Sequence, residues 1–359
     1  MNFIDMKLKR IGTLALLLLT LGACSETEII GMEEGNDNAI RFEAYAGVQT
    51  RGTETKLANI QTSGFGIMAY MTRGSYTTTG KSAFMNNQLV EYKSNAWTYS
   101  PTKYWPNNGT DKLSFFAYAP YVATNGTQGI TLVSNASEDP KLDFSLQTNQ
   151  NNMVDLVVAA NVNQDASTAG SKLTFGFRHV LAGVQMSAKL SESLTGNNQV
   201  RLYITGVKLR HTNKLASRSA FNMKTSAWGT PTTYLAAETD LGNATNGILN
   251  LPSVSGITGI TKGIQLSNSN SQVSLFKTGQ SLYLIPINGS TGCNAGDVKA
   301  AITYSLLTRA TDSGTSWVVS TITKEVPLPA QGFRQGYMQS YLFTIGLNDI
   351  AVSAVVTEY

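Results

Sequence analysis

The chain has 359 residues, of which 42% are hydrophobic and 14% charged, with a formal net charge of +4. Residues 1–23 hold three basic residues and Asp5, so without them 24 basic face 22 acidic residues, a net charge of +2. A charge this close to zero removes the electrostatic argument for nucleic-acid binding. At about 150 residues per domain, the 336 residues that remain (359 minus 23) predict two domains.

The N-terminus carries an export signal. Three basic residues within positions 1–10 precede an apolar run over residues 11–23, which has signal-peptide length and is too short to span a bilayer. The run ends in small residues before Cys24, which resembles the lipobox of bacterial lipoproteins, where the cysteine carries fatty-acid chains. An ordinary signal peptide with an incidental cysteine is the alternative, and translation could also begin at Met6.

The first predicted strand follows a polar tether without periodicity. Apolar side chains alternate with mostly polar ones over residues 40–48, the period of a half-buried β-strand. The apolar positions are Ile40, Phe42, Ala44, Ala46 and Val48. A polar turn comes next and contains Arg51 followed by Gly52. An edge strand joined to its domain by a protease-accessible arginine is a removable part.

Short strands separated by Gly-rich and Asn-rich turns continue to the end of the chain. Residues 53–62 are predicted to be a connection, and no stretch keeps a helical period over four turns. Strands are predicted near 65–71, 84–90, 97–99, 113–118, 142–146, 154–160, 172–190, 200–209, 280–287, 299–307, 317–326, 341–347 and 350–359. This spacing predicts an all-β chain of β-sandwich domains. Residues 161–171 contain almost no large apolar side chain, which predicts domains over 52–168 and 169–359.

Residues with catalytic or metal-binding chemistry are sparse. His179 and His211 are the only histidines, each beside an arginine within a strand pattern, which favours structural histidines held by backbone groups or a carboxylate. Cys293 lies in a loop-like run without a histidine nearby in sequence. No nucleophile elbow, phosphate loop or zinc motif is present. A pair of carboxylates that meets only in space stays possible, but the sequence does not predict an enzyme, a metal or a cofactor.

A cluster of aromatic residues keeps one alternative open. Its members are Tyr92, Trp97, Tyr99, Tyr104 and Trp105. They could form a platform on which sugars stack, and the chain would then be a monomeric glycan-binding lipoprotein of the cell surface. Aromatic residues that alternate on strands are more often core and cross-strand pairs.

Several segments together resemble the Mfa-like fimbrillins, which are subunits of type V pili. The segments are YWP at 104–106, LSFFAYAP at 113–120, DLVVA at 155–159 and FRHVLAGV at 177–184. With the lipobox, Thr50–Arg51 and the final pair of strands, the resemblance spans nearly the whole mature chain.

The resemblance implies two tandem transthyretin-like β-sandwiches in a pilus subunit that supports adhesion. Such subunits reach the outer membrane as lipoproteins, and a trypsin-like or gingipain-like protease cuts them after an arginine. Arg51 matches that arginine, so residues 40–48 match the strand that is removed. Arg41 is the competing arginine, but a cut there would leave the strand attached.

The groove left by the removed strand is then filled by the C-terminal strand of another copy or a related subunit. Here the expected donor lies within residues 341–359, with inward-facing side chains at Ile350, Val352, Ala354 and Val356. Stalk, tip and anchor subunits share this plan, and a strand-like tail favours a stalk subunit. A tail that pairs within its own domain would instead favour the glycan-binding alternative.

Overall fold

The computed structural model describes residues 38–46, 56–134, 137–287, 292–330, 332–347 and 349–359. Strands of the first half are β1 (Phe42–Ala46), β2 (Phe65–Arg73), β3 (Ser82–Lys93), β4 (Ala96–Thr98), β5 (Asp111–Ala119), β6 (Ile130–Val133), β7 (Lys141–Ser145), β8 (Val157–Gln164) and β9 (Leu173–His179). Then follow β10 (Ala182–Leu190), β11 (Val200–His211), β12 (Ala216–Asn222), β13 (Ala227–Trp228), β14 (Thr233–Tyr234), β15 (Glu238–Asp240), β16 (Ile264–Gln265) and β17 (Val273–Ser274). The last are β18 (Leu282–Leu284), β19 (Val298–Thr308), β20 (Val318–Pro327), β21 (Tyr337–Ile345) and β22 (Ile350–Glu358). The predicted all-β class is confirmed.

The described strands form four sheets. The first has seven strands in the order β1-β9-β8-β5-β2-β3-β4. The second has the order β17-β10-β21-β22, with β18 also on β10, and the third has the order β15-β11-β19-β20, with β16 on β11. The fourth runs β13-β12-β7-β6, with β14 on β12.

The seven-stranded sheet is buried on both faces. On β5, Phe115 and Ala117 belong to the apolar cluster that includes β1, whereas Phe116 and Tyr118 belong to the larger cluster on the other face. Successive side chains of a strand point to opposite faces, so a sheet covered on both sides requires a nearly continuous apolar run. The predicted central position of the 154–160 run is confirmed, because β8 lies between β9 and β5.

The second and third sheets share the larger apolar cluster. Val184 and Met186 on β10 and Leu202 and Ile204 on β11 all belong to it. Inward residues on both strands alternate with more exposed ones. Two sheets with apolar inner faces around a common core are the arrangement of a β-sandwich. The division of the whole chain into two tandem sandwiches stays a prediction.

The connection predicted over 53–62 is wrong in part, because α1 (Leu57–Ser63) forms there. Ile60 is fully buried, and the Asn59 side chain accepts a hydrogen bond from the Lys56 backbone N–H at 2.9 Å. Seven residues are too few to show a helical period in the sequence. The second helix, α2 (Ala166–Ala169), is shorter, and 3-10 turns lie at Thr127–Gly129, Gln150–Asn152 and Glu192–Leu194. Among the described residues, no helix combines the length and apolarity needed to cross a membrane.

The domain boundary predicted between residues 168 and 169 does not coincide with a change of sheet. β9 lies beyond that boundary but pairs with β8 and β1 in the seven-stranded sheet. The fourth sheet also crosses the boundary, since β7 pairs with β12. The polar stretch 161–171 contains the end of β8 and the short helix α2 that leads into β9, and its composition alone does not distinguish such a connection from a linker.

Candidate functional site

The first strand of the structure lies at an edge. β1 runs parallel to β9, with Phe42 opposite Leu173 and Ala46 opposite Phe177, and pairs with no other described strand. Just before it, the Ile40 N–H donates to the Lys103 carbonyl at 2.8 Å. An edge strand can be removed without breaking the sheet, and its removal exposes unpaired backbone groups.

The inward side chains of β1 complete the core of the seven-stranded sheet. Ile40, Phe42 and Ala44 are 1%, 2% and 4% exposed. The Phe42 ring packs against Phe115 and Phe175 with centroid distances of 5.9 and 5.6 Å. The predicted alternation is confirmed at these positions, and Ala46 is half-buried. Loss of β1 would therefore open an apolar slot beside β9.

The last strand also lies at an edge, but in the second sheet. β22 pairs antiparallel with β21 from Tyr337 opposite Glu358 to Ile345 opposite Ile350. The expectation of a spare tail is therefore wrong for the single chain, because the edge of β21 offers backbone partners. This pairing is the outcome that favours the glycan-binding alternative, so a donor role requires β22 to leave β21. Residues 341–345 are also no part of a detachable segment, since they belong to β21, which pairs on both sides.

Burial along β22 is shallow. Ile350, Val352 and Ala354 are half-buried against the larger apolar cluster, and Val355 on the opposite face is 64% exposed. A strand that is held at one edge and buries little apolar area costs less free energy to detach than an interior strand.

The end of the chain is held in a small pocket that the sequence analysis did not predict. Tyr359 is 6% exposed, and its N–H donates to the Gly336 carbonyl at 3.1 Å. Its hydroxyl donates to the Leu181 carbonyl at 3.3 Å, and its ring lies 4.2 Å from the His179 ring, centroid to centroid. A terminal aromatic residue was the only sequence signal, and chain ends usually fray.

His179 is held in turn by a buried carboxylate. Its Nδ1 lies 2.8 Å from Asp155 Oδ2, and both side chains are almost fully buried. His211 is also buried, and its Nδ1 faces the backbone N–H groups of Lys214 and Leu215 at 3.3 and 3.5 Å. Burial lowers the pKa of His211. The contacts expected of structural histidines are present, a carboxylate for His179 and backbone groups for His211.

We expect Asp155→Ala to destabilise the folded protein by about 3 kcal/mol, because it removes the partner of a buried histidine. The measurement is the free energy of unfolding in urea. Asp312→Ala, at an exposed loop position, is the control and should change this free energy by less than about 0.5 kcal/mol. Equal effects of the two substitutions would contradict a structural role for the Asp155–His179 pair.

Comparison with known proteins identifies the family of this chain. The family model described as fimbrillin-like matches residues 50–358. The chain belongs to the fimbrillin-like family. The fimbrium subunit Fim1C of Phocaeicola vulgatus is 33% identical over 356 residues, covering 93% of this chain and 92% of that protein. A crystal structure of a fimbrial protein from Bacteroides vulgatus is 29% identical, covers 89% of this chain and 99% of its own, and superposes with a TM-score of 0.78.

Several predicted sites of this fimbrillin-like chain lie outside the described residues. They are Cys24, Val48, Arg51 and Gly52. The predicted donor residues Ile350, Val352, Ala354 and Val356 all lie on β22, where the first three face the core of their own domain. Their donor role and the cut after Arg51 stay predictions.

The five aromatic residues at positions 92–105 of this fimbrillin-like chain do not form an exposed platform. Trp97 and Trp105 are buried and pack against Phe65 and Phe115 with centroid distances of 4.9 and 5.8 Å. Of the five, only Tyr104 is largely exposed. The interpretation of these residues as core is confirmed for both tryptophans. In the described part of the chain, no three His, Cys, Asp or Glu side chains are grouped to hold a metal ion.

We expect Cys293 to resist thiol reagents in the folded fimbrillin-like protein. The side chain is buried, and burial, followed by the negative charge of Asp297, raises the pKa of its thiol to about 11. The thiol is therefore protonated at about pH 8, and the thiolate is the reactive form. Ellman's reagent should modify Cys293 only after denaturation. Rapid modification of the native protein would contradict this assignment.

Proposed function

We propose that this protein is a structural subunit of a cell-surface pilus that polymerises by protease-triggered donor-strand exchange. The precursor is an outer-membrane lipoprotein acylated at Cys24. A trypsin-like or gingipain-like protease cuts after Arg51 and releases β1. The C-terminal strand β22 of another copy, or of a related subunit, then enters the groove along β9. Family membership and the similarity to a fimbrium subunit support a role in a fimbria.

The observation that carries this proposal is the unequal burial of the first and last strands. Ile40, just before β1, and Phe42 and Ala44 on it are 1–4% exposed, and Ala46 is half-buried. On β22, by contrast, Ile350, Val352 and Ala354 are half-buried and Val356 is 37% exposed. Moving β22 from its own sheet into the slot beside β9 therefore buries additional apolar surface. Burial of Ile40, Phe42 and Ala44 contributes roughly 4–7 kcal/mol to holding β1 in that slot.

Proteolysis is needed because β1, while it is attached to its domain, outcompetes an incoming donor strand for the slot beside β9. While β1 is linked to its domain, its effective concentration at the slot is in the millimolar range or higher. A cut after Arg51 makes β1 a separate peptide that is diluted on release.

The side-chain pattern of β22 suits the slot. Ile350, Val352, Ala354 and Val356 have the spacing of Ile40, Phe42, Ala44 and Ala46. In such β-strand addition, main-chain hydrogen bonds contribute affinity and alternate side chains give specificity.

Groove and donor lie on different parts of the subunit, so each junction is head-to-tail. Head-to-tail contacts that do not close into a ring propagate an open filament. A strand-like tail that could serve as the donor favours a stalk subunit over a tip subunit.

The test is the N-terminal sequence and intact mass of the protein recovered from the cell surface. A start at Gly52 without lipid, in polymeric material, is the expected result. A start at acylated Cys24 on a monomer that keeps residues 40–48 would favour an anchor subunit or a glycan-binding lipoprotein. Mature pili built from uncut chains would overturn the mechanism.

A further inference from the structure

Tyr359 follows β22 and fixes the end of that strand against the rest of the domain. Within residues 350–359 it alone is buried, whereas the rest of the segment is half-buried or exposed. If β22 leaves its own sheet, Tyr359 must leave its two backbone hydrogen bonds and its contact with His179. The position of the Tyr359 side chain after strand exchange is inferred from the contacts of β9 and rests on the proposed function.

The Tyr359 pocket lies at the end of the groove strand. Tyr359 is held there by the His179 ring and by the Leu181 and Gly336 carbonyls. Together with Phe177, His179 and Val180 it lines an adjoining cavity. Phe177 is opposite Ala46 of β1, and His179 is the last residue of the same strand β9. The slot that β1 occupies and the pocket that Tyr359 occupies are therefore consecutive along one strand.

The direction and register of β1 place an incoming tail at this pocket. β1 runs parallel to β9, so a donor that takes its place in the same direction points its C-terminus toward His179. With Ile350 in the position of Ile40, Val356 takes the position of Ala46 and lies opposite Phe177. Tyr359, three residues further along, then reaches the level of Val180.

We propose that the Tyr359 pocket is a docking site for the C-terminal tyrosine of the incoming subunit. The donor's Tyr359 enters the acceptor's pocket and displaces the acceptor's own Tyr359. Since Tyr359 is the most deeply buried residue within 350–359, its displacement frees the acceptor's strand for the next junction. Filling of one subunit's groove thereby promotes release of that subunit's donor strand, which gives growth a direction.

Cross-linking between two variants tests whether the residue at position 359 of the incoming subunit lies in the Tyr359 pocket of the acceptor. One subunit carries Tyr359→Cys and the other carries Gln335→Cys in the pocket lining, both in full chains with Cys24→Ser and Cys293→Ala. The mixture is cut with an arginine-specific protease, allowed to polymerise and mildly oxidised. The expected result is a disulfide-linked pair of subunits that appears only after the cut. A matched control replaces Gln335→Cys by Ser320→Cys, on an exposed position of β20, and should give no pair.

A positive control shows whether cysteines at positions 359 and 335 are close enough to form a disulfide. Tyr359→Cys and Gln335→Cys combined in one uncut chain should form an intramolecular disulfide. Polymers without an intermolecular disulfide, when this control succeeds, would overturn the docking site and leave the proposed function intact. Absence of polymers from the wild-type chain after the cut would overturn the proposed function itself.

The rate at which polymers dissociate is a second measurement of the same docking. Polymers of Tyr359→Ala should dissociate about tenfold faster than wild-type polymers, because the junction loses a buried aromatic anchor. Tyr359→Phe keeps the ring and loses the hydrogen bond to the Leu181 carbonyl, so its dissociation rate should lie between the two. Equal dissociation rates for all three polymers would contradict docking of Tyr359 at the junction.

Discussion

Arg51→Ala is expected to leave the precursor with β1 in place and to abolish polymer formation. The physical reason is the burial of Ile40 and Phe42 in the core of the seven-stranded sheet, which an incoming strand cannot displace while β1 stays linked. The measurement is size-exclusion chromatography of the protein after limited treatment with an arginine-specific protease, which leaves Lys56 uncut, with the N-terminus of each fraction sequenced. We expect the wild type in high-mass fractions that start at Gly52 and the variant only as monomer.

Arg41→Ala is the matched control for Arg51→Ala. It removes the other arginine near the first strand and leaves Arg51 for the protease. Because a cut after Arg41 would not detach β1, this variant should polymerise like the wild type. Polymers of the Arg51→Ala chain that still contain residues 42–46 would refute strand removal as the trigger.

Ile350→Asp is expected to abolish polymer while the monomer stays folded. Ile350 is half-buried at the start of β22, so the carboxylate can reach solvent in the single chain. In the slot beside β9 the same position would be enclosed as Ile40 is, at 1% exposure. Loss of the isoleucine removes roughly 1.5–3 kcal/mol of apolar burial, and burial of the charge adds a larger penalty. Sedimentation of the protease-cut protein measures the loss.

Val355→Asp is the control on the same strand. Val355 is 64% exposed and faces away from the core, and in the proposed register it faces away from the groove as well. Polymer formation should therefore survive this substitution. Folded Ile350→Asp protein that still polymerises would show that β22 is not the donor. Under the glycan-binding alternative, neither substitution should alter sugar binding.

β1 and β9 show that the local pattern of residues predicts which side chains face the core but does not predict which strands pair. The period of two over residues 40–46 depends only on neighbours in sequence, so it predicted which side chains of β1 face the core. The partner of β1 could not be predicted this way. β9 begins at Leu173, far along the chain, and nothing in either segment specifies a parallel register with Phe42 opposite Leu173.

Composition was a weaker guide to boundaries. The polar run 161–171 suggested a domain boundary, and within the structure it connects β8 to β9, which lie side by side in one sheet. Residues 57–63 carried no helical period and still form α1, because burial of Ile60 beneath the sheet supports a short helix that would be unstable alone.

The sequence by itself determined the all-β class, the inward faces of the first and last strands, the structural character of both histidines and the family resemblance, because each depends on residue type and short-range spacing. Only the tertiary structure decided that β1 lies on β9, that β22 pairs with β21 in the single chain, and that Tyr359 lies against His179 at the end of the groove strand. These three features arise from contacts between residues far apart in sequence. Such contacts depend on which edges the folded core leaves open, and local periodicity does not contain that information.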